Sequence, residues 1–262
     1  MTQLQLTDQG RFFGELTEQA LRMAGLRAGE RVLDVGCGTG DLSFRAARLV
    51  GTAGRVIGVD AAEEAVDTAG GRAAELGLPN VRFLVGDVTS DELVLDAPVD
   101  AVVGRNVLGY LPDAPGTVRR LLRHVRSGGL VLFQELVLTG ATSDPACPLF
   151  EETVTLVART FARAGLSPRL GLRLRRLLRE AGLPEPQLVQ HARAEGGPDS
   201  EVYRVVADLA RGVLPLMEQH GVASADGLDI DTLADRLRAE ALAHDAVLVP
   251  PPLVAGWTRV PA

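Results

Sequence analysis

Three glycines at alternate positions follow an apolar run in the segment VLDVGCGTGD: Gly36, Gly38 and Gly40, separated by Cys37 and Thr39. Glycines placed just after a strand let a backbone come close to a ligand, and dinucleotides, phosphates and sulfonium cofactors all use such turns. The dinucleotide fingerprint G-x-G-x-x-G would need a glycine at position 41, where Asp41 stands. A phosphate-binding Walker turn is also excluded, because no Gly-Lys-Ser/Thr follows. A carboxylate beside the turn opposes an anionic pyrophosphate.

Three more carboxylates fall at strand-end positions. Asp34 lies two residues before Gly36, Asp60 closes VIGVD, and Asp87 ends the third strand in FLVGDV. A carboxylate at the end of the second strand can accept hydrogen bonds from both hydroxyls of an adenosine ribose. One at the end of the third can accept from an adenine amino group, with Val88 packing the ring. A single Asp in such a place is often only a helix cap. Four acids around one crevice suit a ligand that carries positive charge.

These residues need a scaffold, and the patterning supplies one. Short apolar runs predict strands at Arg31 to Val35, Arg55 to Val59, Val81 to Val85, Val99 to Val103 and Leu130 to Glu135. Helical spacing predicts helices over Thr7 to Leu26, Asp41 to Val50, Glu63 to Leu76 and Gly116 to Val125. Alternation of this kind predicts an α/β fold, doubly wound around a mostly parallel sheet, with the ligand crevice at the carboxyl ends of the strands. The second half is less regular. Helices are expected over Leu149 to Gly165, Leu170 to Ala181, Ser200 to His220 and Asp231 to His244, with a strand over Gln187 to Ala192. Pro250 to Pro252 cannot donate to a ladder and interrupt the extended tail. The expected organisation is one domain: a helical cap over 1–28, a cofactor half over 29–137, a helical cap and substrate half over 138–246, and a closing strand over 247–262.

Composition narrows the function classes. A net charge of -7 and no long Lys/Arg run give no phosphate-tracking surface, so nucleic acid is not an expected partner. The basic stretch RLGLRLRRLLR carries leucines at helical spacing and reads as a solvated helix face. Two cysteines and four scattered histidines make neither a disulfide framework nor a metal site. No run reaches the ~18 apolar residues that span a bilayer, and the N-terminus has no signal-peptide pattern. A cytoplasmic protein is expected.

The segments VLDVGCGTGDLS, VIGVD, VRFLVGDV, VDAVVGRNVLGYLPD and VRSGGLVLFQE together resemble the class I S-adenosylmethionine-dependent methyltransferases. The similarity is to the ubiquinone/menaquinone-biosynthesis type and its relatives in bacterial natural-product pathways. The tail VPPPLVAGW resembles the closing strand of such proteins. The resemblance implies a Rossmann-like, seven-stranded methyltransferase sheet with helical cap insertions, binding S-adenosylmethionine and releasing S-adenosylhomocysteine. It implies that Gly36, Cys37, Gly38 and Gly40 line the cofactor. Asp34 would face the methionyl ammonium, with Asp41 as its competitor. Asp60 and Ala61 would hold the ribose, and Gly86, Asp87 and Val88 the adenine. Arg105 and Asn106 would line the methionyl end.

Methyl transfer from a sulfonium is an in-line displacement with a neutral leaving group, so positioning and exclusion of water are the main tasks. A base is needed only for an acceptor that is not already nucleophilic. Candidate bases are Glu135, Tyr110 and His220, with His191 and His244 beside them, and each histidine alone reads first as a surface or satisfied residue. Phe12, Tyr110 and Phe150 are candidate walls of an acceptor pocket, and Phe13 and Phe161 read first as core. The expected activity is O- or C-methylation of a small organic acceptor by a monomer or homodimer. Two other readings stand beside it: a cyclase that keeps the cofactor without transferring its methyl group, and a nicotinamide-dependent oxidoreductase, which the missing glycine at position 41 disfavours.

Overall fold

The computed structural model describes residues 12–261. The first part of the helix expected from Thr7 lies outside them. In chain order the strands are β1 (Arg31–Val35), β2 (Arg55–Asp60), β3 (Val81–Val85), β4 (Val99–Arg105), β5 (Val125–Leu136), β6 (Thr142–Asp144), β7 (Gln187–His191), β8 (Val247–Val249) and β9 (Leu253–Arg259). The α-helices are α1 (Gly14–Met23), α2 (Asp41–Val50), α3 (Glu63–Glu75), α4 (Ala114–Leu121), α5 (Pro148–Arg163), α6 (Leu174–Glu180), α7 (Val202–Gln219), α8 (Ala225–Leu228) and α9 (Leu233–Ala243).

Seven strands form one sheet in the order β3-β2-β1-β4-β5-β9-β7. The pairs β3–β2, β2–β1, β1–β4 and β4–β5 are parallel. The winding reverses between β1 and β4, which opens a crevice at their carboxyl ends. β1 is buried along Val32 to Val35, as a strand covered on both faces must be. One face packs Val32, Val56, Ala101, Val103, Leu130 and Leu132 against Leu21 of α1 and Leu42 and Ala46 of α2. Asp34 pairs in register with Val103, and Arg105 with Gln134. Alternate residues share a face, so Asp34, Arg105 and Gln134 project to that same side.

The chain falls into two compact units. The first, Phe13–Glu135 with Gly171–Val189 and the residues from Val254 onward, holds most of the large sheet and all the glycine-turn and strand-end residues. The second takes Phe12, Leu136–Leu170 and Gln190–Leu253. In it α5, α7 and α9 pack on one another, and β6 pairs antiparallel with β8.

Several boundaries differ from the sequence expectation for local reasons. The helix expected from Gly116 starts at Ala114, because the Asp113 carboxylate accepts from Gly116 N at 2.9 Å and Pro115 suits the first turn. It ends at Leu121, and β5 already begins at Val125. Leu170 to Ala181 is not one helix but a 3-10 turn, Leu170–Arg173, followed by α6. Pro250 to Pro252 do separate β8 from β9. Among the described residues no helix is long and apolar enough to cross a membrane.

Candidate active site

All three glycines of the turn are left-handed, with φ of 64° at Gly36, 51° at Gly38 and 92° at Gly40. They serve different ends. A Cβ on Gly36 would stand 2.3 Å from Val107 Cγ2. One on Gly40 would stand 2.6 Å from Phe44 Cζ and 2.9 Å from Phe83 Cζ. Those two glycines are required by the protein's own packing. A Cβ on Gly38 would meet nothing within 4 Å, so on its side-chain side this glycine borders open space. The turn runs directly into α2, where Phe44 N donates to Gly40 O at 2.9 Å.

Asp60 holds this turn from β2. Its Oδ2 accepts from Gly38 N at 2.8 Å and its Oδ1 from Ala62 N at 3.0 Å. A carboxylate has about four acceptor positions, so both oxygens keep capacity for a ligand. Ala61 beside it is exposed. Cys37 is buried, its N–H bonded to Val59 O at 3.1 Å, and burial pushes its thiol far up, so it is an inert packing residue.

Asp34 is fully buried. Its Oδ2 accepts from Ser43 Oγ at 2.6 Å, and its Oδ1 is buried with no partner among the described residues. Burial pushes its pKa up to about 7, against the Ser43 bond and the Arg105 charge, which lower it. The half-buried Arg105 donates to Thr17 Oγ1 of α1 at 3.1 Å. Asn106, next along, is left-handed at φ 54°, and its buried Oδ1 lacks a partner. A non-glycine residue in that conformation is strained, and such strain gathers at binding sites. Gln134 is fully buried with neither amide atom partnered.

Two acids do not sit as free charges. Asp41 pairs with Arg72 at 2.8 Å. The exposed Asp87 accepts from Thr89 N and Thr89 Oγ1, each at 2.7 Å, and these bonds hold its pKa below the usual range. Gly86 is half-buried and Val88 buried beside it.

Glu135 closes the loop after β4. It is 4% exposed, and its Oε1 accepts from Val107 N at 3.0 Å and Leu108 N at 2.8 Å. Burial pushes its pKa up to about 8. Tyr110 is 41% exposed, and its hydroxyl is pushed up to about 12 by partial desolvation, with the Glu135 charge adding to it.

Phe12, Phe150 and His220 belong to the second unit. Phe12 is fully buried, with the Arg193 guanidinium 4.3 Å from its ring centroid. Phe150 is fully buried too, and its N–H donates to Glu240. His220 caps α7, with its carbonyl bonded to Arg163. Sequence reading missed Thr17, Ser43, Arg72 and Gln134. Only Ser43, in the first turn after the glycines, carried a positional signal.

The arrangement is that of an α/β protein with a nucleoside-type cofactor site at the switch point. The donor set fits an adenosyl cofactor with a cationic tail: open space at Gly38, a carboxylate with spare acceptor positions at Asp60, and an unpartnered buried oxygen on Asp34. Residues 26–182 match the family described as a methyltransferase domain, and the chain belongs to that family. It is 34% identical over 131 residues to aklanonic acid methyltransferase DauC of Streptomyces sp. (strain C5), covering 50% of this chain and 59% of that one. It is 34% identical over 135 residues to nocamycin O-methyltransferase of Saccharothrix syringae, covering 52% and 46%. The chain thus spans roughly half the length of the curated relatives it matches. Among solved structures, the (4+2) cyclase SpnF shares the fold at a TM-score of 0.55 and 24% identity, covering 95% of this chain and 80% of that one.

Proposed function

We propose that this protein is an S-adenosylmethionine-dependent methyltransferase acting on a small organic acceptor in bacterial secondary or quinone-type metabolism. The observation that carries the reading is the glycine turn: Gly38 borders open space while its amide is fixed by Asp60. When bound, the cofactor supplies an electrophilic methyl group on a sulfonium. Asp60 accepts from the ribose hydroxyls with its remaining lone pairs. The free Oδ1 of Asp34 accepts from the methionyl ammonium, and the backbone at Gly86 to Val88 borders the adenine. Arg105 and Asn106 line the methionyl end.

The protonation of the nearby groups constrains the acceptor. Glu135 is anchored to two amides, and Tyr110 keeps its proton at neutral pH. Neither is a ready general base. The favoured acceptor therefore brings its own acidic oxygen, such as a carboxyl, enol or phenol. O-methylation follows more directly than C-methylation, in keeping with the name of the nocamycin O-methyltransferase relative.

The missing base also keeps a second reading in play, a cyclase that retains the cofactor without consuming it; the fold shared with SpnF is compatible with it. Incubation with methyl-labelled S-adenosylmethionine and a panel of acidic polyketides and quinols tests the first reading. Label is expected in an ester or ether product. A cyclised product without label would establish the second reading instead, and calorimetry showing no cofactor binding would remove both.

A further inference from the structure

Arg72 lies on α3, far in sequence from the glycine turn, yet it grips that turn at several atoms. Its Nη1 donates to Thr39 O at 2.6 Å and to Thr39 Oγ1 at 3.0 Å, and its Nη2 to Asp41 Oδ1 at 2.8 Å. Its guanidinium stands 5.2 Å from the Phe44 ring centroid. Phe44 in turn meets Phe83 edge-on, with centroids 5.8 Å apart, and both rings crowd the position a Cβ on Gly40 would take. One side chain thus reaches the residues on both sides of Gly40 and the ring packed against it.

We propose that Arg72 is a positioning residue that holds the glycine turn in its cofactor-binding shape and cancels the Asp41 charge beside it. The inference rests on the cofactor reading above. A turn with three left-handed glycines has much backbone freedom, and a ligand binding to a loose turn must bear the cost of ordering it. The clamp orders Thr39 to Asp41 in advance and leaves Gly38 facing open space. The pair is well shielded, with side-chain exposures of 25% for Arg72 and 12% for Asp41, unlike a solvated surface ion pair. The planar guanidinium reaches a carbonyl and a hydroxyl from Nη1 and a carboxylate from Nη2, a span that a single ammonium nitrogen lacks, so lysine is a poor substitute.

The charge effect gives a signature that simple destabilisation lacks. S-adenosylmethionine carries a sulfonium, and S-adenosylhomocysteine does not. Removing Arg72 loosens the turn for both ligands and takes from Asp41 its direct ion-pair partner, leaving Arg45 and Arg105 as the remaining positive charges that act on it, a change that favours the cation. Calorimetric titration of both ligands into wild type, Arg72→Met, Arg72→Lys and Arg72→Met/Asp41→Asn tests this, with thermal melting to confirm folding. Arg72→Met is expected to weaken S-adenosylhomocysteine binding about tenfold, with a smaller loss for S-adenosylmethionine. Arg72→Lys should fall between, and adding Asp41→Asn should close the gap between the two ligands. A folded Arg72→Met protein with wild-type affinity for S-adenosylhomocysteine, or equal losses for both ligands, would overturn the proposal. If Arg72→Met does not fold, Arg72→Gln, which keeps an amide donor but carries no charge, takes its place in the same comparison. Wild type that binds neither ligand overturns the cofactor reading itself, an outcome distinct from a clamp variant that binds normally.

Discussion

The backbone amide of Gly38 donates to Asp60 Oδ2 at 2.8 Å, joining the turn after β1 to the end of β2. One carboxylate therefore shapes the cradle and, on the proposed reading, also faces the ribose. Asp60→Ala removes the bonds to Gly38 and Ala62 together with a ligand contact. S-adenosylhomocysteine affinity should fall by about 10–100-fold, read by calorimetry, and an unchanged Kd would count against the placement of Asp60.

The same substitution two residues apart should have opposite consequences. Gly38→Ala puts a methyl into open space, so its folding cost is only the left-handed strain of about 1–2 kcal/mol. Its cofactor affinity should drop by about tenfold or more as the methyl occupies the cradle. Gly40→Ala drives a methyl onto Phe44 and Phe83 and should damage folding first. Melting curves and ligand titrations on both variants separate the cases; similar profiles would contradict the division of roles.

Asp34 should make cofactor binding pH-dependent. Its folded pKa of about 7 exceeds the unfolded value of 3.8. Ligand-free stability is therefore present below the unfolded value and is lost as pH rises toward the folded one. Binding runs the other way, because an ammonium partner favours the ionised carboxylate. Affinity should rise between about pH 6 and pH 8, with proton release on binding. Calorimetry in buffers of different ionisation enthalpy measures that release. Asp34→Asn should flatten the profile, and a wild-type affinity independent of pH would refute the assignment.

Glu135 gives a stability profile of the same sign. Its pKa rises from 4.5 to about 8, so its contribution is complete at low pH and fades as pH climbs through that window. Glu135→Gln keeps an oxygen for Val107 and Leu108 and cannot ionise. The variant should melt near wild type at about pH 5 and above it at about pH 9. Parallel melting temperatures across the range would show that the carboxylate is not desolvated as described.

In the second unit, Glu240 of α9 accepts from Leu149 N at 2.9 Å and Phe150 N at 3.2 Å, so it caps α5 from another helix. Glu240→Ala should cost about 1–2 kcal/mol, as other lost caps do. Amide exchange should quicken first at Leu149 and Phe150; protection there equal to wild type would show that the cap is dispensable.

The cofactor half was legible in the sequence because its signals are local. Asp34, Gly38, Asp60 and Asp87 each sit at a strand end that apolar patterning marks, and a parallel α/β winding brings strand ends together. What escaped depends on side chains meeting across long separations. Nothing in the sequence pairs Arg72 with Asp41, Arg105 with Thr17 or Glu240 with the start of α5, because long-range pairing follows from helix orientation and not from periodicity. Glu135 was found as a strand-end acid, but its anchoring to the Val107 and Leu108 amides was invisible, since loop shape set the partner. In the second unit the helical spacing of Leu149 to Gly165 and Ser200 to His220 located the helices α5 and α7 to within a few residues. It carried no information on what their faces contact.

The strand order has a consequence for the order of assembly. β9, made after every other strand, lies between β5 and β7, and its flank is tied back at Gly128 and Gly129 through Val260. β7 is synthesised well before it and has no neighbour in the large sheet until β9 arrives. On the ribosome, β3, β2, β1, β4 and β5 can zip together as they emerge. The outer strand must wait for Leu253 to Arg259 to clear the exit tunnel. A nascent chain stalled before that point would carry a cofactor cradle already framed by its strands and a sheet still open along β5.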